Sequence, residues 1–332
     1  MTETEKSKKP RSSMGLGKIT EQDEFKHVWR KYQDFHNESW YFNAIDFPAK
    51  THVITRVGYR MGANELEVMF LVILDKNDES KNLMYFNRIP ATDFPEDNVY
   101  GDAKVKYQCL EPMKKWRLTF KGEDERFEAD LIFDQRFPPY IYMSQEDPTE
   151  ALKKYGMEIL KIAAQRHYEQ GMNVKGSIKL KEKGRIKEER HLNCYGHRDH
   201  SWGTRNWVLI DGWNWVACQF EDCTMNFSRV WALGKIIEHG FISTSTGSER
   251  VLTVDVETQL GFEGNASVPK SSTFKITTPT RKLTIVSKTW KSIYLARQME
   301  QGSTEVHEQI VHFQMDDQQG YGISEYMSSQ KK

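Results

Sequence analysis

Twelve consecutive residues concentrate much of the reactive chemistry of this chain. Gly196-His197-Arg198-Asp199-His200-Ser201-Trp202-Gly203-Thr204-Arg205-Asn206-Trp207 holds one acid, two imidazoles, two guanidiniums and two indoles. Asp199 is the candidate proton donor, and a carboxyl serves that role only where a dry setting keeps it neutral. His197 or His200 could orient it or accept the final proton. Asp211-Gly212-Trp213-Asn214-Trp215 follows, so four of the nine Trp lie between positions 202 and 215. Trp213 and Trp215 share one face of a strand, because side chains two apart point the same way. With Trp202 and Trp207, their faces could shelter a cation as it forms. Plainer readings stand beside these. Arg198 or Arg205 could pair with Asp199 and hold its pKa low, and the four indoles could simply fill a barrel core.

The run Gly-His-Arg-Asp-His-Ser-Trp-Gly, with Arg205 and Trp207, resembles the signature of the carotenoid hydratase (hydroxyneurosporene synthase) family and its lipocalin-like relatives. Glu38-Ser39-Trp40, His167-Tyr168-Glu169-Gln170 and Gly320-Tyr321-Gly322-Ile323-Ser324-Glu325 extend the similarity across roughly residues 25–328. The resemblance implies two lipocalin-like (calycin) antiparallel β-barrel or sandwich domains packed side by side. It also implies an acidic residue, here Asp199, and aromatic residues acting on a hydrophobic substrate. Fold alone leaves the reaction open between hydration, cyclisation and isomerisation.

Tyr168 and Glu169 could point into a cavity, whereas His167 fits the end of a helix, where the dipole favours an imidazolium. Glu325 could act as a second acid or base, or bind Arg198 or Arg205 across a domain junction. No Walker, Rossmann or Gly-x-Ser-x-Gly motif is present, so no cofactor is expected. Cys109, Cys194, Cys218 and Cys223 fit no zinc-ligand spacing, so no metal is expected either.

Lys and Arg total 47 and so do Asp and Glu. That balance gives no basic excess that would mark a nucleic-acid partner. Residues 1–20, rich in Lys, Ser, Thr and Glu, read as a disordered tail without an apolar leader. No run approaches 18 apolar residues. The expectation is a cytoplasmic protein of unspecified oligomeric state whose partner is a hydrophobic small molecule.

The elements needed to hold such a site are mostly strands. Trp116, Leu118 and Phe120 alternate with Arg117, Thr119 and Lys121. Phe127, Ala129, Leu131 and Phe133 repeat the pattern, as do Val174, Gly176, Ile178 and Leu180. Lys183-Gly184 marks a turn inside the charged run 175–190, read as a solvated hairpin. Asp147-Pro148-Thr149-Glu150 looks like a capped helix start, giving a helix over about 148–169 that stops at Gly171. A shorter helix is expected over about 21–32. Domains are expected at 21–203 and 204–328, with the ligand near their junction. The functional expectation is an enzyme of hydratase, cyclase or isomerase type acting on an isoprenoid- or polyketide-like molecule. The alternative is a non-catalytic carrier of a lipid-like ligand.

Overall fold

The protein was analysed as a computed structural model that describes residues 19–28, 35–91, 98–123, 125–142, 148–156, 166–204, 209–263, 266–299 and 302–331. Period-two burial dominates. In β7 (Lys115–Phe120) and β8 (Phe127–Gln135) the apolar positions are buried and the intervening ones are not. Such segments must pair with neighbours and close over their apolar faces.

They do so as two curled antiparallel sheets. The first contains β1 (His36–Asp46), β2 (Thr51–Arg60), β3 (Glu65–Ile73), β4 (Leu83–Pro90), β5 (Val99–Gly101) and β6 (Val105–Glu111). After β7 and β8 it is completed by β9 (Tyr140–Ile141), β10 (Arg166–Glu182) and β11 (Arg185–Thr204). Its order is β4-β3-β2-β1-β11-β10-β8-β7-β6-β5, with β9 paired to β10. The second contains β12 (Ile210–Gln219), β13 (Cys223–Ala232), β14 (Lys235–Thr244), β15 (Gly247–Arg250) and β16 (Thr253–Glu263). It continues with β17 (Ala266–Thr277), β18 (Lys282–Met299), β19 (Gly302–Met315) and β20 (Gln318–Lys331), in the order β15-β14-β13-β12-β20-β19-β18-β17-β16.

Both sheets wind the same way. Three strands step outward from the first, the chain crosses to the far edge, and the remainder step back until the last pairs with the first. This is the all-β, two-unit lipocalin-like architecture expected from the sequence. In the first sheet the ends meet: Tyr85 and Asn87 of β4 each donate to Asp102, just beyond β5, at 2.7 Å. Trp40, Phe42, Phe70, Tyr107, Trp116 and Phe120 fill its concave side. Phe227, Phe274, Ile285 and Phe313 are among those filling that of the second.

The sheets pack against each other through their outer faces, where Ile45, Ile54 and Leu71 meet Ile293, Ile310 and Ile323. The β10–β11 hairpin turns through Lys183 and Gly184, both at positive φ, and its outer end is largely exposed, as the charged run predicts.

Two expected helices are corrected. The helix α1 spans only Pro148–Tyr155. Residues 157–165 and the proposed cap Asp147 lie outside the described residues, and from Arg166 onward the chain is strand. Tyr168, Gln170, Met172 and Val174 therefore line one strand face, and Gly171 is no helix stop. Gly171 is small because β13 crosses it: a Cβ there would lie 2.7 Å from Cβ and Cγ2 of Thr224. The helix expected over 21–32 is a 3₁₀ turn, Glu21–Glu24, capped by Thr20 and Asp23; residues 29–34 lie outside the described residues. Gly171→Ala should lower stability by roughly 1–3 kcal/mol through overpacking between the sheets. Thermal denaturation checks this, and an unchanged midpoint would contradict the close approach.

Candidate active site

Strand β11 runs between β1 and β10, and its alternation sends neighbouring residues to opposite places. Tyr41, Asp199 and Glu169 lie abreast across the three strands, as do Asn43, His197 and Gly171. Asp199 and Glu169 border the space between the two sheets. Arg198, His200 and Trp202, of the other parity, are buried inside the first sheet.

A cavity of about 360 Å³ occupies the space between the sheets. Met69, Val230, Ile237, Leu295 and Val306 give it apolar walls, and Trp213 and Trp215 flank it from β12. Among the described residues, four carboxyl groups face it: Glu169 of β10, Asp199 of β11, Glu308 of β19 and Glu325 of β20.

Each acid has its own setting. Glu169 meets Nε2 of His197 at 2.7 Å and accepts from the Trp215 indole at 3.2 Å. Burial pushes His197 down to about 3, so the ring is neutral and Nε2–H is the donor. Glu308 and Glu325 are direct cross-strand neighbours. Tyr41 donates to Glu308, and the Trp213 indole donates to Glu325. Burial, and then the adjacent Glu325 carboxylate, raise the Glu308 carboxyl well above its ordinary range. Two carboxyls side by side in a buried site resist ionising together, and Glu308 is the one that holds its proton more tightly than usual. Burial also holds His239, on the cavity wall, at about 4.

The other parity builds a separate, dry network. Glu24, carried inward by the 3₁₀ turn, accepts from Arg198 at 2.6 and 3.2 Å, from Tyr168 at 2.7 Å and from the Trp116 indole at 3.2 Å. Arg198 overrides the effect of burial and keeps Glu24 ionised. His200 meets Glu38 at 3.1 Å, and burial lowers its pKa. Trp202 stacks on His27 with centroids 4.4 Å apart.

The expected site residues thus divide. Asp199, Glu169, Trp213, Trp215 and Glu325 come together at the cavity, with His197 behind Glu169. His200, Trp202 and Tyr168 do not join them, because their strand positions face the interior of the first sheet. Arg198 is committed to Glu24 and pairs with neither Asp199 nor Glu325. Arg205 and Trp207 lie outside the described residues. His167 lines the cavity from β10 rather than ending a helix. Glu308 and Tyr41 were missed. Glu308 had a signal: it is an acid on the stripe Val306, Glu308, Ile310, where strand parity calls for an apolar residue.

The chain belongs to a family described as a domain of unknown function (DUF7064), whose model matches residues 20–330. No curated protein matches it. The fold is similar to that of an AttH-like protein from Nitrosomonas europaea (14% identity, 96% of this chain and 99% of that one, TM-score 0.65). It is similar to CghA, solved also with Sch210972 (10% identity for the first structure, 98% and 96% covered, TM-score 0.64). It is also similar to kievitone hydratase from Nectria haematococca (8% identity, 88% and 89% covered, TM-score 0.56). These likenesses establish the shared two-sheet fold.

The carboxyl pair makes stability depend on pH with a defined sign. Glu308 holds its proton more tightly folded than unfolded. Its contribution is therefore full below the ordinary Glu value of 4.5 and is lost as pH rises through the raised folded value. Glu308→Gln, neutral at every pH, should escape that loss. Its melting midpoint relative to wild type should climb as pH rises above the ordinary Glu value of 4.5. A pH-independent difference would mean that Glu308 is ionised throughout.

Proposed function

We propose that this protein is an enzyme of hydratase or cyclase type. It binds a largely apolar small molecule, isoprenoid- or polyketide-like, between the two sheets and acts on it by acid-assisted hydration, cyclisation or isomerisation. The observation that carries this reading is a side-by-side carboxyl pair, Glu308 and Glu325, facing an apolar, indole-flanked cavity. A carrier of a greasy ligand gains nothing from burying four acids around it, since each costs desolvation. An acid catalyst needs that arrangement.

In this reading Glu308 delivers the proton to an alkene or similar group of the guest. Tyr41 and Glu325 hold Glu308 in place, and Trp213 and Trp215 turn their π-faces to the cation that forms. Asp199 and Glu169, on the opposite wall, stabilise that cation and take up the proton lost by the water that adds to it, or the C–H proton lost by the new cation that forms when an internal double bond attacks it. Asp199 therefore moves from the acid expected in sequence to a partner of the acid. The similarity of fold to kievitone hydratase and the signature resembling the carotenoid hydratases support chemistry of this class.

Glu308→Gln and Asp199→Asn should each retain binding of apolar ligands, read as quenching of tryptophan emission. Turnover should fall about 10²–10⁴-fold in Glu308→Gln, the usual worth of a general acid. Retained turnover in both variants would refute acid catalysis at this cavity. Intact binding by a wild type that turns over no apolar alkene would favour the carrier.

A further inference from the structure

The dry network inside the first sheet contains a cluster that the cavity chemistry does not use. Nδ1 of His27 and Nε2 of His200 both point at one oxygen, Oε1 of Glu38, at 2.8 and 3.1 Å. The three donor atoms lie within 4.8 Å of one another and all three residues are buried. The outward nitrogen of each ring is held from behind. Nε2 of His27 meets Asp23 at 3.2 Å, and Nδ1 of His200 meets the Tyr168 hydroxyl at 3.2 Å. Asp23 is itself fixed by the backbone N–H and hydroxyl of Thr20, at 2.7 and 2.9 Å.

Counting hydrogens shows what the cluster lacks. Tyr168 has one hydroxyl hydrogen, and it goes to the Glu24 carboxylate at 2.7 Å. The contact of Tyr168 with His200 therefore needs Nδ1–H of His200 as the donor. That tautomer aims a lone pair from Nε2 at a carboxylate oxygen 3.1 Å away. Two acceptors at that distance repel unless a positive species sits between them. Asp23 takes Nε2–H of His27, while the Glu38 and Asp23 carboxylates outweigh burial and raise that ring to about 9, so without an ion it also gives Nδ1–H to Glu38. The inner nitrogen of His200 thus offers a lone pair, and that of His27 becomes a ligand once an ion displaces its proton. A carboxylate or hydroxyl behind each ligating imidazole is the usual support of a metal-bound histidine.

We propose that His27, His200 and Glu38 bind a divalent first-row transition ion, zinc being the best match to two imidazoles and one carboxylate. Asp23 and Tyr168 act as positioning residues that fix the two tautomers. The set resembles three-ligand sites that keep a further coordination position, and it does not suit Ca²⁺ or Mg²⁺, which favour all-oxygen shells. Its residues come from positions 27, 38 and 200, so no spacing motif could reveal it. The ion would tie the segment before β1 to β1 and β11. This site is separate from the cavity between the sheets and stands whether or not that cavity is catalytic.

The test uses the full, tag-free chain, equilibrated with Zn²⁺ or Ca²⁺ and then dialysed against metal-free buffer. Elemental analysis and native mass spectrometry should find one zinc per chain and no calcium. Zinc-edge absorption should show two imidazoles and oxygen, without sulfur. Asp23→Asn should weaken zinc binding roughly 10–100-fold, the usual effect of removing an outer partner. His200→Gln should weaken it more. A wild-type chain that retains no zinc overturns the proposal. So does sulfur coordination, or zinc held equally well by wild type and by both variants. Should a variant fail to fold, the wild-type stoichiometry and absorption spectrum still decide.

Discussion

The buried pair of Arg198 and Glu24 fixes the parity of β11, and every functional feature follows from that parity. Arg198 is 1% exposed and reaches a carboxylate 174 residues away in sequence. The carboxylate also satisfies Tyr168, the Trp116 indole and the backbone N–H of Met113. Removing one partner from such a pair costs about 3–5 kcal/mol, because the other charge stays buried. A one-residue slip of β11 would exact that penalty and also turn Trp202 out of its stack. The register is therefore held firmly, and Asp199 is left on the face toward the second sheet.

From that constraint come two environments a strand's thickness apart. Inside the first sheet, Glu24 is paired with Arg198 while His27 and His200 converge on Glu38, all sealed by Trp40, Trp116 and Trp202. Between the sheets, acids outnumber bases among the described residues of the cavity wall. Two of the acids sit side by side, and burial with the adjacent Glu325 carboxylate raises the Glu308 carboxyl well above its ordinary range. The indoles of Trp213 and Trp215 each give an N–H to a carboxylate of that wall, which fixes the rings in place beside the void. The small Gly171 allows β10 and β13 to approach and so brings the sheets close enough to enclose the cavity.

Much of this was legible in sequence. Alternation in β7, β8 and β10 revealed the strands, and Lys183-Gly184 revealed the long hairpin. The shared face of Trp213 and Trp215 followed from spacing alone. The same parity rule, applied within 197–202, separates His197 and Asp199 from Arg198, His200 and Trp202; the dense signature invited pooling them instead. The helix beginning at Pro148 was overextended because helical spacing and a well-placed glycine mimicked a stop, whereas Gly171 serves a crossing strand. The partners of the signature, Glu24, His27 and Glu38, lie between about 160 and 175 residues from it. No local pattern connects residues that only the curled topology brings together.

The account stands on the claim that the space between the sheets, and not the interior of either sheet, receives an apolar guest. Crystals soaked with a small brominated hydrocarbon would locate that guest directly by anomalous scattering. The account predicts bromine density between β11 and β19, against Trp213 and Trp215 and within reach of Glu308. Density only inside one of the two sheets, or only on the outer surface, would contradict it.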